Sequence, residues 1–289
     1  MIYVSGAPGN VGTELVRLLS SRGEEVRALI NHAGAAEHLA WPGVETVPGD
    51  LAEPESFAHT VKGADKVFIN SSRRAISLEK NLIDAAAQAG VRLLVNLSWL
   101  GAAQDSFSQT LGQAHAEVEQ HLEDCGVPYT ILRASAFMQN YLGQIRVHDR
   151  IFGSTASGKA SLVDARDVAA VAASVLTEEG HEGRLYDVTG PQALSNPQIA
   201  AIIARVTGRQ VHYVDLNPDL LAESYVRGGL PEWLAFDLVT TDAYRAAGHL
   251  AEVTDVVEKV GKKKPTTFEA FVREFCVAKG PEPGSPSGN

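Results

Sequence analysis

The glycines near the N-terminus have a spacing that suits the binding of a phosphate. Gly6, Gly9 and Gly12 follow a β-rich run at residues 2–4 and precede an apolar-periodic segment that starts at Thr13. A chain that turns after a strand, passes close to a pyrophosphate and then packs a helix on the sheet favours residues without a Cβ. The free N–H groups of the first helical turn would hold the diphosphate. We therefore predict a dinucleotide-binding loop that comprises Gly6, Pro8, Gly9, Asn10, Val11 and Gly12.

The end of the second predicted strand bears on the choice of nicotinamide cofactor. A carboxylate there hydrogen-bonds the ribose and repels a 2′-phosphate, whereas an arginine accepts that phosphate. The strand at residues 26–30 is followed by Asn31 and His32, so neither group is present. The missing carboxylate favours NADP(H) over NAD(H). Arg73 and Arg74 would add positive charge if their loop folded toward the ribose, and two solvated arginines are the alternative.

Strands and helices alternate through the first half of the chain. The sequence predicts strands at residues 2–4, 26–30, 44–47, 66–70, 93–97 and 129–133, and helices at 13–19, 54–61, 78–89 and 114–122. Alternation at this spacing is typical of βαβ units and implies a parallel sheet covered on both faces. The predicted fold class is α/β, a Rossmann doubly wound parallel sheet with a smaller, mostly helical C-terminal lobe.

The order of the elements changes after residue 140. Strands are predicted at 160–163, 184–189 and 211–214, and helices at 164–176, 197–206, over most of 218–249, and at 268–277. We divide the chain into an NAD(P)-binding domain at 1–190, with part of a cleft at about 137–160, and a substrate lobe at 191–279. Residues 280–289 are almost all Gly, Pro and small polar residues, which predicts a disordered tail.

Composition excludes several classes of partner. The chain has 289 residues and a formal net charge of −10, which argues against nucleic-acid binding and against docking on anionic lipid. No apolar run approaches the ~20 residues of a membrane span, and the N-terminus lacks the features of a signal peptide, so we expect a cytoplasmic protein. Cys125 and Cys276 have neither disulfide nor zinc-ligand spacing, and no metal is predicted.

Several short motifs, in their order and spacing, resemble the NmrA-like branch of the atypical short-chain dehydrogenase/reductases. They lie at Gly6–Gly12, Gly49–Leu51, Asn96–Ser98, His115–Asn140, Val163–Ala169, Tyr186–Pro191 and Pro265–Phe271. The resemblance covers nearly the whole chain except the tail. It implies a Rossmann domain with a cleft against a smaller lobe. The family includes NAD(P)H-dependent quinone and azo reductases, reductases of secondary metabolism and non-catalytic redox-sensing regulators.

The resemblance also implies cofactor contacts for polar residues that follow the strands. These residues are Asp50, Leu51, Asn70, Ser71, Ser72 and Ser98. The first two resemble the pair that borders the adenine, the next three follow the fourth strand where the family's loop passes the ribose and diphosphate, and the last lies beside the nicotinamide. Ordinary loop hydrogen bonding is the alternative. Convergence on the carboxyl edge of a parallel sheet favours a site.

The proton donor of ordinary short-chain dehydrogenases is missing. That donor is a Tyr followed four residues later by a Lys, and here no lysine has a tyrosine four positions before it. His115, at a predicted helix start near Glu117 and Glu119, occupies the place where the family often has His or Lys. A histidine there can donate to the nicotinamide ribose or to a substrate oxygen and can titrate near pH 7. A half-exposed histidine at a helix start is the alternative.

The segment around the sixth strand resembles the part of the family that faces the substrate. Tyr129 and Arg133 lie on that strand, and Phe137, Met138 and Asn140 lie just beyond it. We assign Phe137 and Asn140 to the substrate site. Met138 is expected in the core.

The leading interpretation is an NAD(P)H-dependent reductase that gives hydride to a small, flat, electron-poor acceptor such as a quinone. Such an acceptor needs little proton donation because its ring stabilises the oxyanion, which suits a chain without the Tyr/Lys pair. The alternatives are a non-catalytic NADP(H)-sensing regulatory protein and a dedicated reductase of secondary-metabolite biosynthesis. The expected partner is a small-molecule acceptor, and the expected state is a monomer or a homodimer.

Overall fold

The described residues fold around a seven-stranded parallel sheet. A computed structural model describes residues 1–103 and 111–277. The strands are β1 (Ile2–Val4), β2 (Val26–Ile30), β3 (Val44–Pro48), β4 (Lys66–Ile69), β5 (Leu93–Trp99), β6 (Tyr129–Ala134), β7 (Arg150–Gly153), β8 (Lys159–Ala160), β9 (Arg184–Val188), β10 (Leu194–Ser195) and β11 (His212–Asp215). The α-helices are α1 (Asn10–Ser21), α2 (Pro54–Phe57), α3 (Glu79–Gln88), α4 (Leu111–Asp124), α5 (Leu142–Arg146), α6 (Ala165–Thr177), α7 (Asn196–Thr207), α8 (Pro218–Arg227), α9 (Glu232–Ala246), α10 (Val256–Lys259) and α11 (Phe268–Val277).

The strand order of the large sheet creates a crevice at one edge. The order is β3-β2-β1-β4-β5-β6-β9, and every neighbouring pair is parallel. The direction of winding reverses between β1 and β4. In open sheets of this kind, ligands bind outside the carboxyl ends of the strands at that reversal. The Rossmann fold class predicted from the sequence is confirmed.

Two apolar layers cover the sheet because successive side chains of each strand face opposite sides. In β1, Ile2 and Val4 join the core beneath α1 and α6, whereas Tyr3 joins the core beneath α3 and α4. Helix α6 is rich in alanine and valine and is buried along most of its length, so it packs closely against α1. Both layers therefore hold the strand ends in fixed positions at the crevice.

A third core lies beside the carboxyl edge of the sheet. Met138 and Ile151, from the segment between β6 and β9, pack there with Ile199, Phe268 and Phe271 from the later helices. Strand β7 pairs in parallel with β11, and β8 pairs antiparallel with β10. The chain thus leaves the sheet after β6, contributes to the smaller lobe, and returns to the sheet at β9.

Two predicted elements are shorter than expected. The helix predicted at 54–61 ends at Phe57, because the hydroxyl of Thr60 donates to the carbonyl oxygen of Phe57 at 2.7 Å and is also bonded to the hydroxyl of Tyr3 at 2.9 Å. The strand predicted at 160–163 pairs only as far as Ala160, because the N–H of Ser161 donates to the carbonyl oxygen of Leu250. Local tertiary bonds end both elements.

The helical region predicted at 218–249 consists of α8 and α9. Gly229, with a φ of +92°, and Pro231 stand between them, and both residues oppose a continuous helix. Helix α4 is described from Leu111, so His115 lies in its second turn and not at a helix start. The tail predicted at 280–289 lies outside the described residues.

Within residues 1–103 and 111–277, no helix combines the length and the apolar content that crossing a bilayer requires.

Candidate functional site

The glycine loop makes a tight turn at the end of β1. Gly6 has a φ of +61°, and a Cβ there would lie 2.7 Å from the carbonyl oxygen of Asn70. The N–H of Gly9 donates to the carbonyl oxygen of Gly6 at 3.0 Å. A Cβ on Gly12 would collide with the backbone of Gly6. The loop is therefore closed against β4 and against its own helix, as the motif predicts.

The amino end of α1 offers backbone donors. Its N-cap residue is Gly9, and among the described residues neither a side-chain cap nor an acidic residue in the first turn satisfies the free N–H groups. Such a helix end attracts phosphate through these groups and through the helix dipole. Asn10 is exposed at the first helical position, whereas Val11 is buried in the core beneath α1 and α6.

A cavity, here called the glycine-loop cavity, lies in front of the loop at the carboxyl ends of the first four strands. It is lined by Gly6, Pro8, Gly9, Leu29, Asn31, Gly49, Asp50, Leu51, Asn70, Ser71, Ser72 and Ala75. Most of the predicted cofactor residues therefore surround one space. Asn10, Val11, Gly12 and His32 are not among the lining residues, although they follow Gly9 and Asn31, which are. His32 is exposed at the N-cap of the 3₁₀ helix Ala33–Leu39.

A second space, here called the inner cavity, adjoins the first, and Asn70 and Ser71 line both. Its polar residues include Arg73, Glu79, Ser98, His115 and Asn140. Its apolar wall is formed by Ile76, Leu97, Trp99, Leu111, Ala134, Ala136 and Phe137. The two cavities together follow the crevice from the glycine loop to the smaller lobe.

Arg73 lines the inner cavity, and its neighbour Arg74 does not. They line a further recess with Trp233 and Asp237 of α9. The sequence left open whether these arginines would reach the ribose near Asn31. Neither arginine is among the residues that line the glycine-loop cavity, although their chain neighbours Ser72 and Ala75 are.

Ser98 belongs to a network of hydrogen bonds that joins β5, β6 and α4. Its hydroxyl donates to Oε1 of Glu119 at 2.5 Å, and Arg133 donates to both carboxylate oxygens of Glu119 from Nε and Nη2. Glu119 is 8% exposed and Arg133 is 17% exposed. These contacts fix the hydroxyl hydrogen on the carboxylate, so Ser98 presents lone pairs to the cavity.

His115 is neutral at pH 7. Burial, together with the nearby Arg73 cation, lowers its pKa to about 4. The expectation that it titrates near pH 7 is therefore wrong, because a buried imidazolium beside a cation is unfavourable. Its Nδ1 is buried and has no hydrogen-bond partner within the described residues. An unpaired buried ring nitrogen is costly unless a ligand satisfies it.

The two carboxylates near His115 in sequence have different surroundings. Glu119, four residues later, lies on the same face of α4 and bonds Ser98 inside the site. Glu117, two residues later, faces solvent and pairs with Lys80 at 3.1 Å. Helical geometry thus separates them into one site residue and one surface residue.

Glu79 is a site residue that the sequence analysis missed. It starts α3 and lines the inner cavity, yet it is only 1% exposed. A single glutamate in the first turn of a helix is ordinarily solvated and favourable to the helix dipole. Its burial depends on the loop after β4 and on Asn96 of β5, which no local pattern reveals.

The residues after β6 divide between the cavity and the core. Phe137 and Asn140 line the inner cavity. Met138 is 1% exposed and belongs to the third core, as expected. Tyr129 lies at the amino end of β6, at the opposite edge of the sheet from the cavities.

Comparison with known proteins identifies a matching family and several relatives whose functions are named. The sequence profile of the NmrA-like family matches residues 1–272. An NAD(P)H azoreductase of Xenophilus azovorans is 37% identical, with 97% of this chain and 99% of that protein aligned. Quinone oxidoreductase 2 of Escherichia coli is 30% identical, with 96% and 99% aligned. The crystal structure of the NADPH-dependent quinone oxidoreductase of Escherichia coli with NADPH has a TM-score of 0.86 at 29% identity, covering 95% of this chain and 99% of that one.

Proposed function

The chain belongs to the NmrA-like family, and from this premise we propose that it is an NAD(P)H-dependent reductase that transfers hydride to a small, flat, electron-poor acceptor such as a quinone or an azo compound. The observation that carries this proposal is the meeting of two cavities at Asn70 and Ser71. One is bounded by the glycine loop, and the other is lined by seven apolar residues and nine polar ones. A dinucleotide and an acceptor ring can thus lie end to end.

The residues of the glycine-loop cavity fit a nicotinamide dinucleotide. The free N–H groups at the start of α1 suit a diphosphate, and Gly9, which has no side chain, lets the diphosphate come close to the backbone. We assign Asn31 and His32 to the ribose of the adenosine and Asp50 and Leu51 to the adenine. The remaining assigned residues are Gly6, Pro8, Asn10, Val11, Gly12, Asn70, Ser71, Ser72, Ser98 and His115.

NADP(H) is the favoured cofactor. Asn31, which lines the cavity at the end of β2, carries no charge that would repel a 2′-phosphate. The relatives are named for NAD(P)H and NADPH, which supports the same preference.

The chain's own residues position the acceptor and shield it from water. The reduced dinucleotide supplies the hydride. Leu97, Trp99 and Phe137 form a wall suited to a flat ring. Ser98, whose hydrogen is held by Glu119, accepts a hydrogen bond and does not donate a proton. Neutral His115 completes the polar side with one ring donor and one ring acceptor.

We further propose a cytoplasmic protein that acts as a monomer or homodimer without nucleic acid. Cys125 and Cys276 are free thiols, which suits a reducing compartment. The net charge of −10 disfavours phosphate-rich polymers. We propose the same division as from the sequence, with a cofactor domain at 1–190 and a substrate lobe at 191–279.

The decisive experiment is a single-turnover measurement. Protein loaded with one equivalent of NADPH is mixed with a panel of quinones and azo compounds, and NADPH absorbance is followed. We expect full oxidation within seconds for the best acceptors. Tight NADPH binding with no faster oxidation than in buffer would instead indicate a sensor.

A further inference from the structure

Glu79 is a buried acid in the inner cavity that hydride transfer does not by itself require. The hydroxyl of Ser71 lies 2.7 Å from its Oε1, and the amide Nδ2 of Asn96 donates to its Oε2 at 2.9 Å. Asn96 is itself buried, and its Oδ1 has no partner within the described residues. Each carboxyl oxygen of Glu79 therefore has a defined neighbour.

The hydrogen bond between Glu79 and Ser71 can run in two directions. When Glu79 is ionised, the Ser71 hydroxyl donates to it. When Glu79 is protonated, Asn96 occupies Oε2, so the acid hydrogen lies on Oε1 and donates to Ser71 Oγ. The Ser71 hydrogen is then released from Glu79; it can donate to the carbonyl oxygen of Ser72, which lies 3.3 Å from Oγ, or turn into the cavities that Ser71 lines.

We propose that Glu79 stores the proton that the reduced acceptor takes up and delivers it through the hydroxyl of Ser71. This inference rests on the proposed reductase function. Glu79 acts through Ser71 and is a positioning residue, whereas Ser71 is the group in reach of the acceptor.

The step balances in atoms and charge. Two-electron reduction of a neutral quinone or azo group adds one hydride, supplied by NAD(P)H, and leaves an anion. The Ser71 O–H bond breaks as its proton bonds to that anion, and the Glu79 O–H bond breaks as its proton restores the serine. Glu79 is left as a carboxylate and regains a proton from water, which reaches the partly exposed Ser71 after the product leaves.

The surroundings of Glu79 suit this role. Burial raises its pKa to about 7, although the bonds from Ser71 and Asn96 lower it. Among the described residues, the other ionisable groups that line the cavity are Arg73 on the preceding loop and neutral His115 on α4. The ion pair of Glu119 with Arg133 lies behind Ser98. A carboxyl with this pKa is protonated in part of the molecules at neutral pH and gives up its proton readily.

The first test is the pH profile of kcat with saturating NADPH and a soluble benzoquinone. Wild type should lose activity above about pH 7, by about tenfold per pH unit, as Glu79 ionises. Glu79→Gln and Ser71→Ala should both lose this limb and fall by about 10²-fold at pH 6. The loss should be larger for an azo acceptor, because the nitrogen anion is the stronger base. Glu117→Gln, on the exposed face of α4, should keep the wild-type profile.

The second test needs no turnover. Infrared difference spectra of the full chain between pH 5 and pH 9 should show a protonated carboxyl band that disappears with a midpoint near 7 and is absent in Glu79→Gln. An infrared midpoint near pH 4.5 would overturn the inference. It would also be overturned if Glu79→Gln and Ser71→Ala both kept the wild-type loss of kcat above pH 7. If no acceptor oxidises NADPH, the proposed function fails, and the infrared midpoint still decides whether Glu79 holds its proton at neutral pH.

Discussion

At Gly9 a side chain should harm ligand binding more than it harms the fold. The residue has an extended backbone with a φ of −77°, which any residue can adopt, and a Cβ would lie 3.2 Å from the carbonyl oxygen of Gly6. Its outer side faces the glycine-loop cavity. Gly9→Val should therefore weaken NADPH binding at least tenfold, about 1.4 kcal/mol, by calorimetry.

The matched control for Gly9 is Gly34. It lies in the exposed 3₁₀ helix after β2, where a Cβ would make only an ordinary contact at 3.6 Å with His32. Gly34→Ala should bind NADPH like wild type. If a folded Gly9→Val protein bound NADPH with the same affinity as wild type, the assignment of the diphosphate to this loop would be wrong.

Neutral His115 leads to a different expectation from a titrating histidine. With a pKa of about 4, it is not in the imidazolium form at neutral pH and cannot act as a general acid. It can still hydrogen-bond the acceptor, a contribution of about 1 kcal/mol. His115→Ala should reduce kcat/KM about fivefold, and the fold-reduction should stay constant from pH 6 to pH 8. A reduction that vanishes as the pH rises would show that the imidazolium acts as an acid.

Some residues of the candidate site could be predicted from the sequence, and others could not. Gly6, Asn31 and Ser98 were found because a strand end is recognisable in the sequence and parallel strands bring their ends together. The partner of Ser98 was not found, since Glu119 looks like any helical glutamate. Glu79 likewise depends on contacts with residues from two other elements. Sequence spacing locates the edge of a site, whereas side-chain pairing depends on tertiary packing.

Helix α4 contains a direct comparison between a buried and an exposed carboxylate. Glu119→Gln leaves Arg133 partly buried without its anion and removes the acceptor of the Ser98 hydrogen. The free energy of unfolding in urea should fall by about 3 kcal/mol. Glu117→Gln removes only the exposed pair with Lys80 and should cost less than about 1 kcal/mol. Equal losses would mean that the Ser98–Glu119–Arg133 network contributes little to stability.

The elements of the sheet domain were predictable because their patterns are repeated and local. The β-rich runs and amphipathic helices of the first half match the structure to within a few residues, as at α3 and β5. The smaller lobe was harder to predict. Strand β7 and helix α5 are short, and they are stable through the third core, with α7 and α11 packed on them. A short element that depends on distant partners carries little signal of its own.

For the whole molecule, Glu79 and His115 couple stability to pH with opposite signs. Glu79 has a raised pKa, so between pH 4.5 and 7 the unfolded chain releases a proton that the folded chain retains. Its contribution to the free energy of unfolding therefore falls as the pH rises through this window. His115 has a lowered pKa, so the unfolded chain binds the extra proton between pH 6.5 and 4. Its contribution is lost as the pH falls through that window.

The effect of Glu79→Gln on the free energy of unfolding should therefore be more stabilising at alkaline pH than at acid pH. Glutamine keeps the shape and can accept from Ser71, but it never becomes a buried anion. The difference in unfolding free energy, variant minus wild type, should rise by about 2–3 kcal/mol between pH 5 and pH 8. Urea unfolding at the two pH values measures it, and the titration of distant groups cancels in the difference. His115→Gln should show the opposite trend: its unfolding free energy minus that of wild type should fall by about 2 kcal/mol between pH 5 and pH 7. A Glu79→Gln difference that does not change with pH would mean that Glu79 ionises as it does in water.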